Sequence, residues 1–370
     1  MSFPIFDRSK ILMKPLKERL SKKLIERDLV DINQNPKNLT PEAKKIISQT
    51  THRIITARKN NKPVIIAFGA HTIKNGLAPV LIKLMEDGWL THLATNGAGI
   101  IHDWEIAFQG KTSEDVKKGV ERGEFGNWFE TGFYINLAIN VGAYEGMGYG
   151  ESVGVMIEKE CLKIPSVKTL EKEVISSLKT DPSKSSVSAE LLAVLKEFNL
   201  KQGTIKIPHP FKKYSVQASA YRLGIPFTGH PMIGHDIIYN HPMNNGALLG
   251  RSAITDFLTF TRSVSKIDGG VYLSLGSAVM SPMIFEKSLS MSRNLAIQEG
   301  RTISNYFILV VDLAKSSWDW QKGEPPEESS EYYLRFNKTF SRMGGTMRYL
   351  SIDNRDFLLA LYQNLHNLKH

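Results

Sequence analysis

Five histidines, His71, His102, His230, His235 and His241, stand in or beside short polar and glycine-rich turns, and Asp103 and Asp236 each directly follow one of them. An imidazole titrates at about pH 6.5, so general acid–base transfer is the first chemistry this set suggests. His102, Asp103, His230, His235 and Asp236 are therefore the candidate catalytic residues. In Gly-His-Pro-Met-Ile-Gly-His-Asp-Ile-Ile-Tyr-Asn-His-Pro the three histidines are five and six residues apart. That spacing matches no compact helical zinc motif, although a loop could still hold a divalent ion with Asp236. A second chemistry comes from the turns Gly69-Ala70-His71, Asn96-Gly97-Ala98-Gly99 and Gly276-Ser277-Ala278. Glycines between a strand and a helix let backbone N–H groups approach a phosphate at the helix N-terminus. Gly69, His71, Asn96, Gly97, Gly99, Gly276 and Ser277 are accordingly the candidate cofactor-binding residues, and no residue is assigned to a metal.

These residues need elements to position them. Val64-Ile65-Ile66-Ala67-Phe68 reads as a buried strand, followed by a helix with Leu77, Val80, Leu81, Leu84 and Met85 on one face. A second strand, 90–95, completes a βαβ unit. Further strands are expected at 225–228, 271–275 and 307–311, the last of them, with helices at 215–223, 251–264 and 355–368. The expected fold is α/β, a parallel sheet sandwiched by helices. In such a sheet five strand ends fall at one edge: the three turns above, Gly229-His230-Pro231, and Asp312. Residues 1–60 read as an N-terminal helical extension, with Leu16, Leu20, Leu24 and Ile25 at helical spacing and a helix starting at Thr40-Pro41. Residues 61–370 form the α/β domain. Glycine recurs among aromatics through 123–154, which suggests a lid or an inter-subunit segment, and 166–202 reads as two amphipathic helices around Thr180-Asp181-Pro182-Ser183.

Composition narrows the class. The chain has 370 residues, 42% of them hydrophobic, one cysteine and a formal net charge of +10. One cysteine excludes a disulfide framework and a cysteine-rich zinc site. The lysines are dispersed among acidic residues without a nucleic-acid-binding signature, so nucleic acid is not an expected partner. No run of 18 apolar residues and no signal-peptide pattern is found, which points to a cytoplasmic protein with no membrane contact. The glycine turns are not a full G-x-G-x-x-G. No acidic residue follows about 20 positions on, at the end of a second strand, which argues against an ordinary Rossmann dehydrogenase.

Several of these segments resemble the deoxyhypusine synthase family. His71-Thr72-Ile73-Lys74-Asn75-Gly76-Leu77 is similar to its serine-glycine-leucine segment leading a helix. Asn96-Gly97-Ala98-Gly99-Ile100-Ile101-His102-Asp103 resembles threonine-alanine-glycine-glycine-isoleucine-glutamate-glutamate-aspartate. Ile225-Pro226-Phe227 through Gly234-His235-Asp236-Ile237-Ile238-Tyr239 is similar to its proline-led strand and acidic glycine-rich turn. Leu275-Gly276-Ser277-Ala278-Val279-Met280 resembles the strand end before its catalytic lysine. The resemblance covers roughly residues 60 to 325. It implies a deoxyhypusine synthase-like, Rossmann-type NAD-binding fold, with NAD held by the strand-end glycines and assembly as a homodimer or homotetramer.

The departures imply a different reaction. Where the family has its imine-forming lysine, this chain reads Ser281-Pro282-Met283, and Ile101 and His102 replace its paired glutamates. A serine hydroxyl forms no imine. The expectation is a divergent NAD-dependent enzyme that removes a hydride transiently to activate a small anionic or neutral molecule for elimination or transfer. The alternatives are a His/Asp metal-dependent hydrolase or lyase and a non-catalytic nucleotide-binding scaffold.

Overall fold

A computed structural model describes residues 3–368. The chain divides into two compact units. One contains the chain up to Ile25 together with Ile100–Ala218 and Pro231–Asp256, and the other contains Glu26–Gly99, Ser219–His230 and everything from Phe257.

The second unit is built on six strands: β1 (Val64–Phe68), β2 (His92–Asn96), β3 (Phe227–His230), β4 (Val271–Leu275), β5 (Phe307–Asp312) and β6 (Thr346–Ser351). Their spatial order is β6-β5-β4-β1-β2-β3 and every pairing is parallel. Read from the other edge this is 3-2-1-4-5-6, the order of the doubly wound dinucleotide fold. Every residue of β1 and β4 is buried, as befits the unbroken apolar run of β1 and the mostly apolar run of β4, interrupted only by Ser274, in central parallel strands. One face packs on Phe260, Phe285 and Phe340, with the Tyr272 and Phe285 rings stacked 4.1 Å apart. The α/β expectation therefore holds, and the strand order is more Rossmann-like than the glycine spacing suggested.

Three expectations change. First, β6 was not foreseen. It is an edge strand in which only Met347 and Leu350 are buried, so it lacks the apolar run that marks its neighbours. Second, no boundary falls at residue 60. The helix Pro41–Lys59 packs with the sheet unit, its N-terminus capped by the Thr40 hydroxyl accepting from the Ala43 N–H at 3.1 Å. The residues before it form 3-10 turns at Arg8–Lys10 and Leu16–Glu18, a two-residue strand, Lys23–Leu24, and a single helical turn, Ile25–Asp28, instead of one helix through Leu16, Leu20, Leu24 and Ile25. Their backbone groups bond elsewhere: the Leu16 N–H donates to the Glu130 carboxylate at 2.6 Å, and Lys23–Leu24 pairs with Lys111–Thr112. Leu16 is consequently buried while Leu20 is 85% exposed.

Third, the glycine-rich stretch 123–154, in the other unit, folds mainly as helices Phe129–Glu145 and Tyr149–Lys159. Its glycines admit close neighbours. A Cβ on Gly142 would lie 1.9 Å from the Ser152 hydroxyl oxygen, and one on Gly132 2.5 Å from the Cβ of His241. Low helix propensity is thus overridden by packing. The two amphipathic helices appear as Val167–Ser177 and Pro182–Glu197. Among the described residues no helix is long and apolar enough to cross a membrane.

Candidate functional site

The order of the sheet reverses between β1 and β4, and their exits meet there. The Gly69 N–H donates to the Leu275 carbonyl at 3.0 Å, and the Gly276 N–H to the Val311 carbonyl at 2.9 Å. A Cβ on Gly69 would sit 2.2 Å from the Gly276 carbonyl oxygen, so only glycine allows the two turns to touch. Gly276 has φ +52°, and a Cβ there would lie 2.9 Å from Nδ2 of Asn354. Asn354, at the exit of β6, donates to the Thr72 hydroxyl at 3.3 Å. The Ser277 hydroxyl accepts from the Ser281 N–H at 3.1 Å, at the start of helix Met280–Gln298.

Beside this junction β2 passes into helix Gly97–Gln109 without a loop. The Asn96 carboxamide oxygen accepts from the Gly99 N–H at 3.0 Å. A Cβ on Gly99 would meet the Thr95 hydroxyl at 2.1 Å, and that hydroxyl already donates to the Phe68 carbonyl at 2.8 Å. Small residues therefore line the first turn of a helix whose N-terminus, with its positive dipole end, suits an anion. Asn96 lies opposite His230 in the β2–β3 register. His71 opens the short helix His71–Lys74 and is exposed; partial burial and then Lys74 lower its pKa. The sheet unit thus gathers Gly69, His71, Asn96, Gly97, Gly99, His230, Gly276 and Ser277 along its carboxyl edge.

His102, Asp103, His235 and Asp236 belong to the other unit. Asp103 is fully buried and accepts from the Ser215 hydroxyl (2.6 Å), the Val216 and Gln217 N–H groups (2.8 and 3.2 Å) and the Gln217 side chain (3.0 Å). Burial pushes its carboxyl up against those four bonds. These bonds fasten the start of helix Val216–Arg222 to Asp103. His102 Nδ1 is 2.7 Å from the Thr112 hydroxyl, which donates to Glu105 at 2.5 Å. Glu105 is buried in a bidentate pair with Arg19 at 2.5 and 2.7 Å. Burial opposes ionisation of Glu105, but Arg19 outweighs it and holds the carboxyl below its ordinary range. His235 is exposed and Asp236 precedes the 3-10 turn Ile237–Asn240. His241 is buried, accepts from the Met243 N–H at 3.0 Å, and packs edge-on against Phe129 and Phe133. Burial, then Arg8, lowers its pKa to about 4. Among the described residues no group of three or more His, Cys, Asp or Glu side chains is placed to hold a metal ion.

The sequence reading missed Asn354, because its strand was missed. The Ile352-Asp353-Asn354 exit, with Asp353 capping the final helix through the Arg355 N–H at 2.8 Å, was the available signal. It also missed His92 and Thr228, which lie within strands. Ser281, the position aligned with the family's lysine, is fully buried, its hydroxyl 2.9 Å from the Tyr272 hydroxyl and 2.8 Å from that of Ser274.

No protein-family model matches the chain, and no curated protein matches it significantly in sequence. Among solved structures it is similar to a conserved protein of Methanococcus maripaludis S2 described as LOR/SDH, with TM-score 0.46 and 13% identity, covering 91% of this chain and 74% of that one. It is also similar to AgrE in a ternary complex with ornithine and NAD+ (TM-score 0.44, 13% identity, 90% of this chain and 34% of that one). A third is apo ArgZ, an arginine dihydrolase from the ornithine–ammonia cycle in cyanobacteria (TM-score 0.42, 13% identity, 88% and 33%). This chain spans about a third of the length of the last two. Strand order and register, rather than these likenesses, define the fold.

Proposed function

We propose that the sheet unit binds NAD at the junction of β1 and β4 and that the protein is an NAD-dependent enzyme acting on a small molecule. One observation carries this reading. The exits of β1 and β4 converge through Gly69 and Gly276 at the reversal point of a 3-2-1-4-5-6 sheet, where this architecture places its ligands. The residues present fit the group. Gly69 and Gly276 let the exits of β1 and β4 close on each other, Ser277 follows at the same turn, and the glycine-lined helix start at Gly97–Gly99, capped by Asn96, favours a pyrophosphate. Asn354 adds an amide at the same junction.

When bound, NAD supplies a hydride acceptor. The chain's part is to hold it and to accept or return the accompanying proton, and His230, beside Asn96, is the imidazole that the carboxyl edge offers. This reading keeps a deoxyhypusine synthase-like relation at the level of fold and sets aside aminobutyl transfer. Ser281 is enclosed by Tyr272, Ser274 and Ser277, so neither serine nor an engineered lysine at that position meets a substrate. Assembly as a homodimer or homotetramer is part of the proposal, and a solution mass measurement decides it. Calorimetric titration of NAD+ and NADH into the wild type and Gly99→Val tests the cofactor claim. Saturable binding by the wild type that is lost in a still-folded Gly99→Val supports it, and no heat with either nucleotide refutes it.

A further inference from the structure

A line of hydrogen bonds runs through the interior of the sheet unit. His92 Nδ1 is 2.8 Å from the Ser263 hydroxyl and its Nε2 is 3.0 Å from the Thr228 hydroxyl, which is 2.9 Å from Nε2 of His230. The pairing Ala94↔Thr228 and Asn96↔His230 puts His92, Thr228 and His230 on one face, since side chains alternate along a strand. Phe260 seals that face, with each imidazole edge-to-face on its ring at 5.4 Å. His92 and Thr228 are buried, whereas Ser263 is half-buried and meets water. We propose that Ser263, His92, Thr228 and His230 form a proton wire between the carboxyl edge of the sheet and solvent. As a device of the hydride reaction it rests on the NAD reading above.

The chemistry of the members requires coupling. Thr228 has one hydroxyl proton and so donates to only one of the two Nε2 atoms, accepting from the other. The two rings therefore carry opposite tautomers, and the line has two possible orientations. Oxidation of an alcohol or amine carbon by NAD+ sends the hydride to the cofactor and releases one proton. With Nε2 committed to Thr228, Nδ1 is the His230 nitrogen left to receive it. His230 then passes its Nε2 proton to Thr228, Thr228 passes its own to Nε2 of His92, and His92 passes its Nδ1 proton to Ser263, whose proton leaves to water. One proton enters, one leaves, and no ring stays charged; the reverse reaction resets the line. Neutral rings suit this. Burial lowers both histidines to about 3, with the charge of His230 adding to the effect on His92.

Nitrogen-15 spectra of the histidine rings in the full chain, at pH 7 and without ligand, test the wire. The expected result is two neutral rings of opposite tautomer that exchange between the two orientations. Thr228→Ser should preserve this. Thr228→Val should uncouple the tautomers and slow reversal by about 100-fold or more, and Ser263→Ala should slow it comparably. A purely structural network would keep one fixed orientation. The same tautomer on both rings, a single frozen orientation in the wild type, or unchanged exchange in a folded Thr228→Val overturns the wire. NAD+ titration of the same samples separates the two claims. Absent binding with exchanging rings removes the hydride reading alone, and binding with frozen rings removes the wire alone.

Discussion

Replacing Gly69 by alanine probes the junction most sharply. The new methyl carbon would lie 2.2 Å from the Gly276 carbonyl oxygen and 3.3 Å from its carbon, both backbone atoms that cannot rotate away. Relief requires the exits of β1 and β4 to separate by about 1 Å, enough to restore van der Waals distance. That movement stretches the 3.0 Å bond from the Gly69 N–H to the Leu275 carbonyl. Overpacking strain of about 1–3 kcal/mol and loss of a hydrogen bond worth about 0.5–1.5 kcal/mol together predict destabilisation of about 1.5–4.5 kcal/mol. Urea unfolding measures it. Gly250→Ala is the control: Gly250 is an exposed helix position with nothing within 4 Å of a Cβ, so alanine should stabilise by about 0.5–1 kcal/mol. Gly69→Ala should also weaken NAD+ binding while Gly250→Ala leaves it unchanged. A Gly69→Ala protein within about 0.5 kcal/mol of wild type, the range of inconsequential substitutions, would refute the close approach of the two turns.

Other outcomes follow from the buried charges and histidines. Arg19→Met leaves Glu105 ionised in the interior and should cost about 3–5 kcal/mol at pH 7, with much of the loss recovered in Arg19→Met/Glu105→Leu. Without Arg19 the Glu105 carboxyl has a raised folded pKa, so the penalty should shrink as pH falls toward about 4.3, its unfolded value; denaturation at several pH values reads this. His92 and His230, lowered to about 3, bind fewer protons folded than unfolded. Stability should therefore decline as pH falls from about 6.5 toward 3, by up to about 1.4 kcal/mol per pH unit for each ring. His92→Leu should reduce that slope by one proton's worth, and an unchanged slope would contradict the burial. His230→Ala should keep NAD+ binding within about threefold and lose turnover, once a substrate is in hand.

The central strands were legible because β1 and β5 are uninterrupted apolar runs and β4 is broken only by Ser274, each followed by glycine or aspartate, and their parallel course followed from the helices between them. Gly69, Asn96, Gly99 and Gly276 were legible for the same reason, as small or capping residues at strand exits. β6 was not, because an edge strand buries only one residue in three of Thr346–Ser351. The helices in 123–154 were hidden by glycines whose purpose, admitting Ser152 and His241, is visible only in three dimensions. Asp103 drew attention as a carboxylate next to a histidine. Its four donors come from residues more than a hundred positions away, which no local pattern reveals. His92 and Thr228 read as ordinary strand residues until the register set them side by side.

A crystal structure of the protein grown with NAD+ confronts the whole reading at once. The dinucleotide should lie across Gly69 and Gly276, with its pyrophosphate at the Gly97–Gly99 helix start. Nucleotide bound elsewhere on the chain, or crystals that stay empty at saturating NAD+, would contradict it.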